Sequence, residues 1–283
     1  CRPEQVVLTT NCTHGLNIAI RSLVKPGGRV AVSGFEHNAV MRPLYALGAK
    51  VQVAGRRLFD WDNTLEEFRR ALHAGADAAV FTHVSNVFGY ILPVEEMAAL
   101  CREQGVPFIL DAAQSAGTLP VKLNALGAEF IAAPGHKGLL GPQGTGLLLC
   151  RGEAAPLLFG GTGSESIRKD MPDMLPERLE AGTVNVPGAA GLDAGMRYVL
   201  SRGGRIGAAE HRQTRRCARM LEKLGVQAFY GAHQAGTISF VPGEDCEAFA
   251  QRLADRGIAV RAGLQARGQS HQRVQRQVRQ LAR

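Results

Sequence analysis

The chain has 283 residues, 45% of them apolar and 20% charged, which is ordinary globular usage for one large domain or two smaller ones. No apolar run approaches the ~20 residues of a membrane-spanning helix, and six cysteines scattered at 1, 12, 101, 150, 217 and 246 argue against a zinc knuckle or a disulfide-stapled scaffold. The net charge of +8 invites a nucleic-acid reading, yet residues 261–283 hold six Arg and no acid, so most of the excess sits in that tail and no convincing nucleic-acid site emerges.

In chain order, 6–10 reads as a short strand and 13–23 as a helix ended by Pro26-Gly27-Gly28. A strand at 29–33, a helix at 39–47 and a strand at 50–53 follow. Thr64, with Glu67 three residues on, has capping-box spacing and predicts a helix over 65–74. Next come an apolar strand at 78–83, a helix at 93–104 with Pro93 in its first turn, and strands at 107–110 and 147–150. Apolar runs such as 78–81 and 107–110 lack polar alternation, as buried parallel strands do. The pattern predicts an α/β fold, a mostly parallel central sheet sandwiched by helices.

Residues 152–188 break the alternation with loop-like strings, and loops that long inside a compact protein are usually functional. Helices at 188–201, 205–224 and 243–256, with strands at 226–229, 237–240 and 258–261, predict a smaller C-terminal α/β domain. The expected division is 1–188, 189–264 and an Arg/Gln-rich tail at 265–283. The first residues, Cys1-Arg2-Pro3-Glu4-Gln5, do not read as a signal peptide, and a reducing cytoplasmic setting is expected.

Residues able to do chemistry recur just after strands, where parallel α/β sheets bind ligands. Asp111 can bind a cation, act as a base, pair with a protonated ring nitrogen, or simply cap a helix. Lys137, in Pro134-Gly135-His136-Lys137-Gly138, is one of only six lysines and is either an activated amine or a surface lysine. No P-loop string is present, nor G-x-G-x-x-G after a strand. Thr9-Thr10-Asn11-Cys12-Thr13-His14-Gly15 joins a strand to a helix, a ready phosphate seat, where Thr13 either adds a hydroxyl or is a plain N-cap. In Glu36-His37-Asn38 the histidine can stack on a ring, shuttle a proton, or rest in the core. His83-x-x-Asn86-x-x-Gly89 also follows a strand. No metal site is indicated.

Taken together, TTNCTHGLN (9–17), EHNAVMRPL (36–44), HVSNVFG (83–89), ILDAAQSAG (109–117), APGHKGLLGPQGTG (133–146), EAGTVNVPG (180–188) and GIAVRAGL (257–264) resemble the class V aminotransferase family of pyridoxal-phosphate enzymes. The likeness is strongest to its cysteine desulfurases and selenocysteine lyases. It implies a fold-type-I architecture, a homodimer, an amino-acid substrate, and conversion of L-cysteine to L-alanine with sulfur passed to an acceptor protein. Carried onto this chain, it makes Lys137 the Schiff-base amine for pyridoxal 5'-phosphate and pairs Asp111 with the ring nitrogen. Gln114 would bond the phenolic oxygen, and His37 would stack on the ring and assist proton transfer. Thr13, His14 and His136 fall at the phosphate, Asn86 on the cofactor and substrate side, and Thr183 at a neighbouring subunit's phosphate.

In relatives, Arg-x-Gly-x-His-Cys-Ala supplies the thiol that accepts sulfur. Here Ala266 stands in place of that Cys and Gln265 in place of the His. Cys12, near the phosphate seat, is poorly placed as a substitute. An arm resembling L-D-N-A-A-T-T is expected before Cys1, and a carboxylate-binding Arg after Arg267. The resemblance therefore predicts a chain truncated at the front, altered at the end and impaired in turnover. The alternatives are an aminotransferase, which needs no such thiol, a selenocysteine lyase, and an inactive body with a structural or interaction role. Val274, Val278 and Leu281 fit one face of a tail helix.

Overall fold

A computed structural model describes residues 1–165 and 167–263 of the chain. A 3-10 turn at Pro3–Gln5 precedes β1 (Val6–Thr9), α1 (Cys12–Leu23), β2 (Arg29–Ser33), α2 (Asn38–Ala46), β3 (Lys50–Ala54), α3 (Trp61–His73), β4 (Ala78–Thr82), α4 (Val94–Glu103) and β5 (Phe108–Asp111). The chain continues through α5 (Leu123–Leu126), β6 (Phe130–Pro134), β7 (Gly146–Cys150), α6 (Val186–Ser201), α7 (Arg205–Lys223), β8 (Gln227–Phe229), β9 (Ser239–Val241) and α8 (Cys246–Ala254). The main sheet has seven strands in the order β1-β7-β6-β5-β4-β2-β3. From β3 through β6 every pair is parallel, and β7 runs antiparallel to both β6 and β1.

Strand β4 shows why the sheet is covered twice. All five of its residues are buried, and successive side chains point to opposite faces. Ala79 and Phe81 join Phe68 and Leu72 of α3 and Met97 of α4 on one face. Ala78 and Val80 join Leu16 and Ile20 of α1 and Val40 and Leu44 of α2 on the other. Phe81 stacks on Phe108 at a centroid distance of 5.0 Å and meets Phe68 edge-on at 5.5 Å. Each such pair adds about 1 kcal/mol beyond simple burial.

The smaller C-terminal subdomain pairs β8 with β9 antiparallel and packs α7 on β8. Its 233–234 loop and both its strands meet the loop that follows β4, through Ser239 and Val87 and the edge-on pair Phe229–Phe88. Ile91 N donates to His233 O at 2.8 Å, and Gln234 Nε2 donates to Phe88 O at 2.8 Å. The His233 ring stacks on Trp61 with centroids 3.5 Å apart.

Where structure and sequence expectation differ, the causes are local. The helix expected over 65–74 begins at Trp61, because Asp60 is the cap and accepts from Asn63 N at 2.9 Å. Thr64 is buried inside that helix with its hydroxyl on Asp60 O, and Glu67 instead accepts from Gly55 N at 2.7 Å. Segment 258–261 is irregular, having no strand beside it among the described residues. Strand β6 and the short α5 lacked a sequence signal: Phe130–Pro134 is brief and ends in proline. The tail helix suggested by Val274, Val278 and Leu281 lies outside the described residues, as do Gln265 and Ala266. No described helix is long and apolar enough to cross a membrane.

Candidate active site

The chain steps outward from β2 to β3, then returns to β4 on the other side of β2. The chain order thus switches between β2 and β4, and the carboxyl ends of strands near such a switch are the usual ligand position in these sheets. Glu36 and His37 follow β2, His83 follows β4, Asp111 ends β5, and His136 and Lys137 follow β6.

Asp111 is 2% exposed. Its Oδ1 accepts from Ala113 N at 2.9 Å and from Cys12 Sγ at 3.5 Å. Burial raises its pKa above the ordinary carboxylate range, and those two bonds, then the charges of Lys137 and His37, oppose the rise. Groups from three separate elements, Cys12, His37 and Lys137, thus act on one buried acid. Burial, then the Asp111 charge, pushes the Cys12 thiol well up, so Cys12 stays a neutral thiol and a poor nucleophile.

The turn that presents Lys137 is held by backbone packing. Leu140 N donates to Lys137 O at 2.9 Å, and Gly141 N donates to Gly135 O at 2.7 Å. A Cβ on Gly138 would strike Ala116 O, and one on Gly117 would strike Gly138 O. The loop after Asp111 and the Lys137 turn therefore touch backbone to backbone. Behind them, a Cβ on Gly195 of α6 would lie 2.6 Å from the carbonyls of Leu139 and Leu140. Gly117 has φ +88°, so Gly117→Ala adds both strain and collision. It is expected to cost roughly 2–4 kcal/mol, read as a lower urea midpoint, and to displace Lys137 from Asp111. An unchanged midpoint would show that the two loops are not locked together.

Asn11, rather than Thr13, caps α1: its Oδ1 accepts from His14 N at 2.9 Å. Thr13 lies exposed in the first turn, where the amides of Cys12 and Thr13 have no intrahelical partner and favour an anion. His14 turns Nδ1 back to Thr10 N at 3.4 Å, and burial lowers its pKa. His37 caps α2, its Nδ1 accepting from Ala39 N at 3.0 Å. Thr13 and His37 line one groove between α1 and α2, together with Asn17, Arg21, Asn38 and Arg42.

The other expected site residues are less engaged. Gln114 and Asn86 are half-buried on loops, and His136, Lys137 and Thr183 are exposed. Among the described residues, the side chains of Gln114, Asn86, His136 and Thr183 make no hydrogen bond. His83 is a buried histidine whose pKa falls to about 4, and Gly89 is a turn glycine at φ +64°. The structure also uses three residues to which the sequence assigned no site role. Cys12 bonds Asp111; Glu180 Oε1 accepts from Leu8 N at 2.6 Å and anchors the loop carrying Thr183; and Glu36 spans two strand ends. Glu36 stands in the motif of His37, and nothing in that string marks its carboxyl as buried.

A cofactor with an aldehyde, a basic ring nitrogen and a phosphate needs an amine, a buried acid and an anion seat. Lys137, Asp111 and the start of α1 meet those needs from adjoining loops, so the donor set fits pyridoxal phosphate. Fold and site together define a pyridoxal-phosphate enzyme of fold type I.

Comparison with known proteins agrees. The family described as aminotransferase class-V matches residues 2–283. A probable cysteine desulfurase of Pyrococcus abyssi is 32% identical over 280 residues, covering 92% of this chain and 69% of its own length. Another, of Methanothermobacter thermautotrophicus, is 32% identical over 255 residues, covering 86% and 59%. The apo structure of the cysteine desulfurase from Thermococcus onnurineus gives a TM-score of 0.81 at 32% identity, over 92% of this chain and 69% of that one. The chain thus spans 59% to 69% of the lengths of these two curated relatives. It belongs to the class V aminotransferase family, in the cysteine-desulfurase-like branch.

Proposed function

We propose that this chain holds pyridoxal phosphate through Lys137 and acts on an amino acid, L-cysteine, to release its sulfur. The observation that carries the reading is the buried Asp111 carboxyl at the end of β5, held by Ala113 N and Cys12 Sγ and acted on by the charge of Lys137. When bound, the cofactor supplies an electron sink for the substrate's α-carbon. Asp111 keeps the ring nitrogen protonated, and its burial leaves that attraction weakly screened. Lys137 would hold the cofactor through its aldehyde, and its free amine would be the group to carry the α-proton. His37 would stack on the ring, Gln114 would bond its phenolic oxygen, and Asn86 would line the substrate side. Thr13, His14 and His136 hold the phosphate, joined by Thr183 of a second copy in a homodimer. A cytoplasmic setting and a sulfur-acceptor protein complete the proposal.

Full desulfuration breaks the substrate C–S bond and leaves the sulfur on a thiolate as a persulfide. Ala266 offers no thiol at the position the family resemblance points to, and Cys12 is held neutral. The cofactor-loaded chain is therefore expected to release alanine and sulfide at least roughly 10³-fold more slowly than a thiol-bearing relative, the scale of losing a nucleophile. The assay measures both products with and without a reductant, and fast reductant-dependent turnover would overturn the expectation. Ala266 also favours a second reading, transamination, which would show as keto-acid formation from the amino acid without sulfide.

A further inference from the structure

The loop after β2 carries a carboxyl group that the chemistry above leaves unused. Glu36 lies between the end of β2 and the cap of α2. Its Oε1 accepts from Thr82 N at 2.8 Å and from the Ser33 hydroxyl. Pairing of β2 with β4 ends at Val32 and Val80, so the Thr82 amide lies past the end of the ladder. Glu36 takes the place of the missing strand. Thr82 stands opposite Asp111 in the β4–β5 register, and His83 N donates to Asp111 O at 2.9 Å. The Glu36 clasp is thus one strand away from the buried acid.

Glu36 Oε2 is buried and has no hydrogen-bond partner among the described residues. If ionised, it would leave an uncompensated charge near a second carboxyl group. The neutral acid costs less there. Burial pushes the Glu36 carboxyl up to about 8, outweighing the opposite pull of Ser33 and Thr82, and Asp111 adds to the rise. The other ionisable groups at these strand ends are His37 on the same loop, His83 after β4, Asp111 on β5, Cys12 on α1, and Lys137 after β6.

We propose that Glu36 is a positioning residue of the cofactor site: as the neutral acid it clasps the carboxyl ends of β2 and β4, fixes its neighbour His37, and leaves the negative charge of the site to Asp111. The proposal rests on the pyridoxal-phosphate reading above. It separates two roles that a pair of buried carboxyl groups would otherwise confuse. One acid ties the loops; the other meets the ring.

Glu36→Gln keeps a neutral acceptor oxygen for Thr82, and Glu36→Ala removes it. Pyridoxal phosphate affinity and the visible circular dichroism of the bound cofactor should survive in Glu36→Gln, within about threefold in affinity. Glu36→Ala should bind about tenfold more weakly, with a reduced dichroic band, because His37 is no longer fixed. Melting of the cofactor-free protein gives an independent readout. A folded-state pKa raised from the ordinary 4.5 to about 8 makes Glu36 lose stability as pH rises between those values. His83, lowered from 6.5 to about 4, acts only below pH 6.5, so its titration adds no slope from pH 6.5 to 8. The fall in melting temperature over that range should be smaller in Glu36→Gln than in wild type. Equal damage from both substitutions, wild-type cofactor binding in Glu36→Ala, or an unchanged pH slope in Glu36→Gln would each overturn the proposal alone. Should Glu36→Ala fail to fold, the Glu36→Gln measurements decide. Wild-type protein that takes up no pyridoxal phosphate would overturn the site assignment as well.

Discussion

Lys137→Ala is expected to abolish the visible absorption band of the protein loaded with pyridoxal phosphate. That band requires a covalent bond between a protein amine and the cofactor aldehyde. Of the six lysines, only Lys137 lies close enough for its charge to act on Asp111 and Cys12. The variant should release its cofactor on gel filtration, and turnover should fall by roughly 10³-fold or more, since anchor and proton carrier are lost together. Folding should be unaffected, because the Lys137 side chain is exposed and makes no hydrogen bond among the described residues. Far-UV circular dichroism beside the absorption spectrum separates the two effects. A retained band would assign the amine elsewhere and remove Lys137 from its proposed role.

Asp111→Asn should separate function from stability. The amide oxygen can still accept from Ala113 N and Cys12 Sγ, so the local bonds persist. It carries no negative charge to hold a proton on the ring nitrogen. Cofactor-dependent proton removal from the substrate should fall by about 10²-fold or more, the scale seen when one preorganised charge-stabilising group is lost. The cofactor-free protein should behave the other way. Burial raises the Asp111 pKa above the ordinary 3.8, so its charged form costs stability, and that cost grows as pH rises through the folded-state value. At neutral pH the variant should therefore melt higher than wild type, with the gap closing as pH falls toward 3.8. Calorimetry across pH measures it. A lower melting temperature at neutral pH would mean that attraction from Lys137 and His37 outweighs burial. The expected trade of stability for function is common where a charge is buried for chemistry.

Much of the scaffold was legible locally. The strand 29–33 has the same bounds in sequence and structure, because an apolar run between turn residues carries its own limits. Helix starts were harder. Thr64 matched the capping box, yet Asp60 is the cap, since a second acceptor four residues earlier lets α3 begin sooner. Asn11 displaced Thr13 at the start of α1 in the same way. Strand β6 has no local sequence signal because its order comes from lying between β5 and β7 rather than from its own five residues.

The sequence by itself determined the alternation of strands and helices, the placing of Asp111, His37 and Lys137 just past strand ends, and the family motifs, because periodicity, turn residues and motif spacing are properties of neighbouring residues. Only the tertiary structure decided that Cys12 bonds Asp111 across 99 residues, and that Glu36 closes the gap to Thr82 across 46. Their ionisation is likewise a tertiary property. The energy of a carboxyl group or thiol depends on how much water the fold removes and which charges it brings near, and neither is written in the residues beside it.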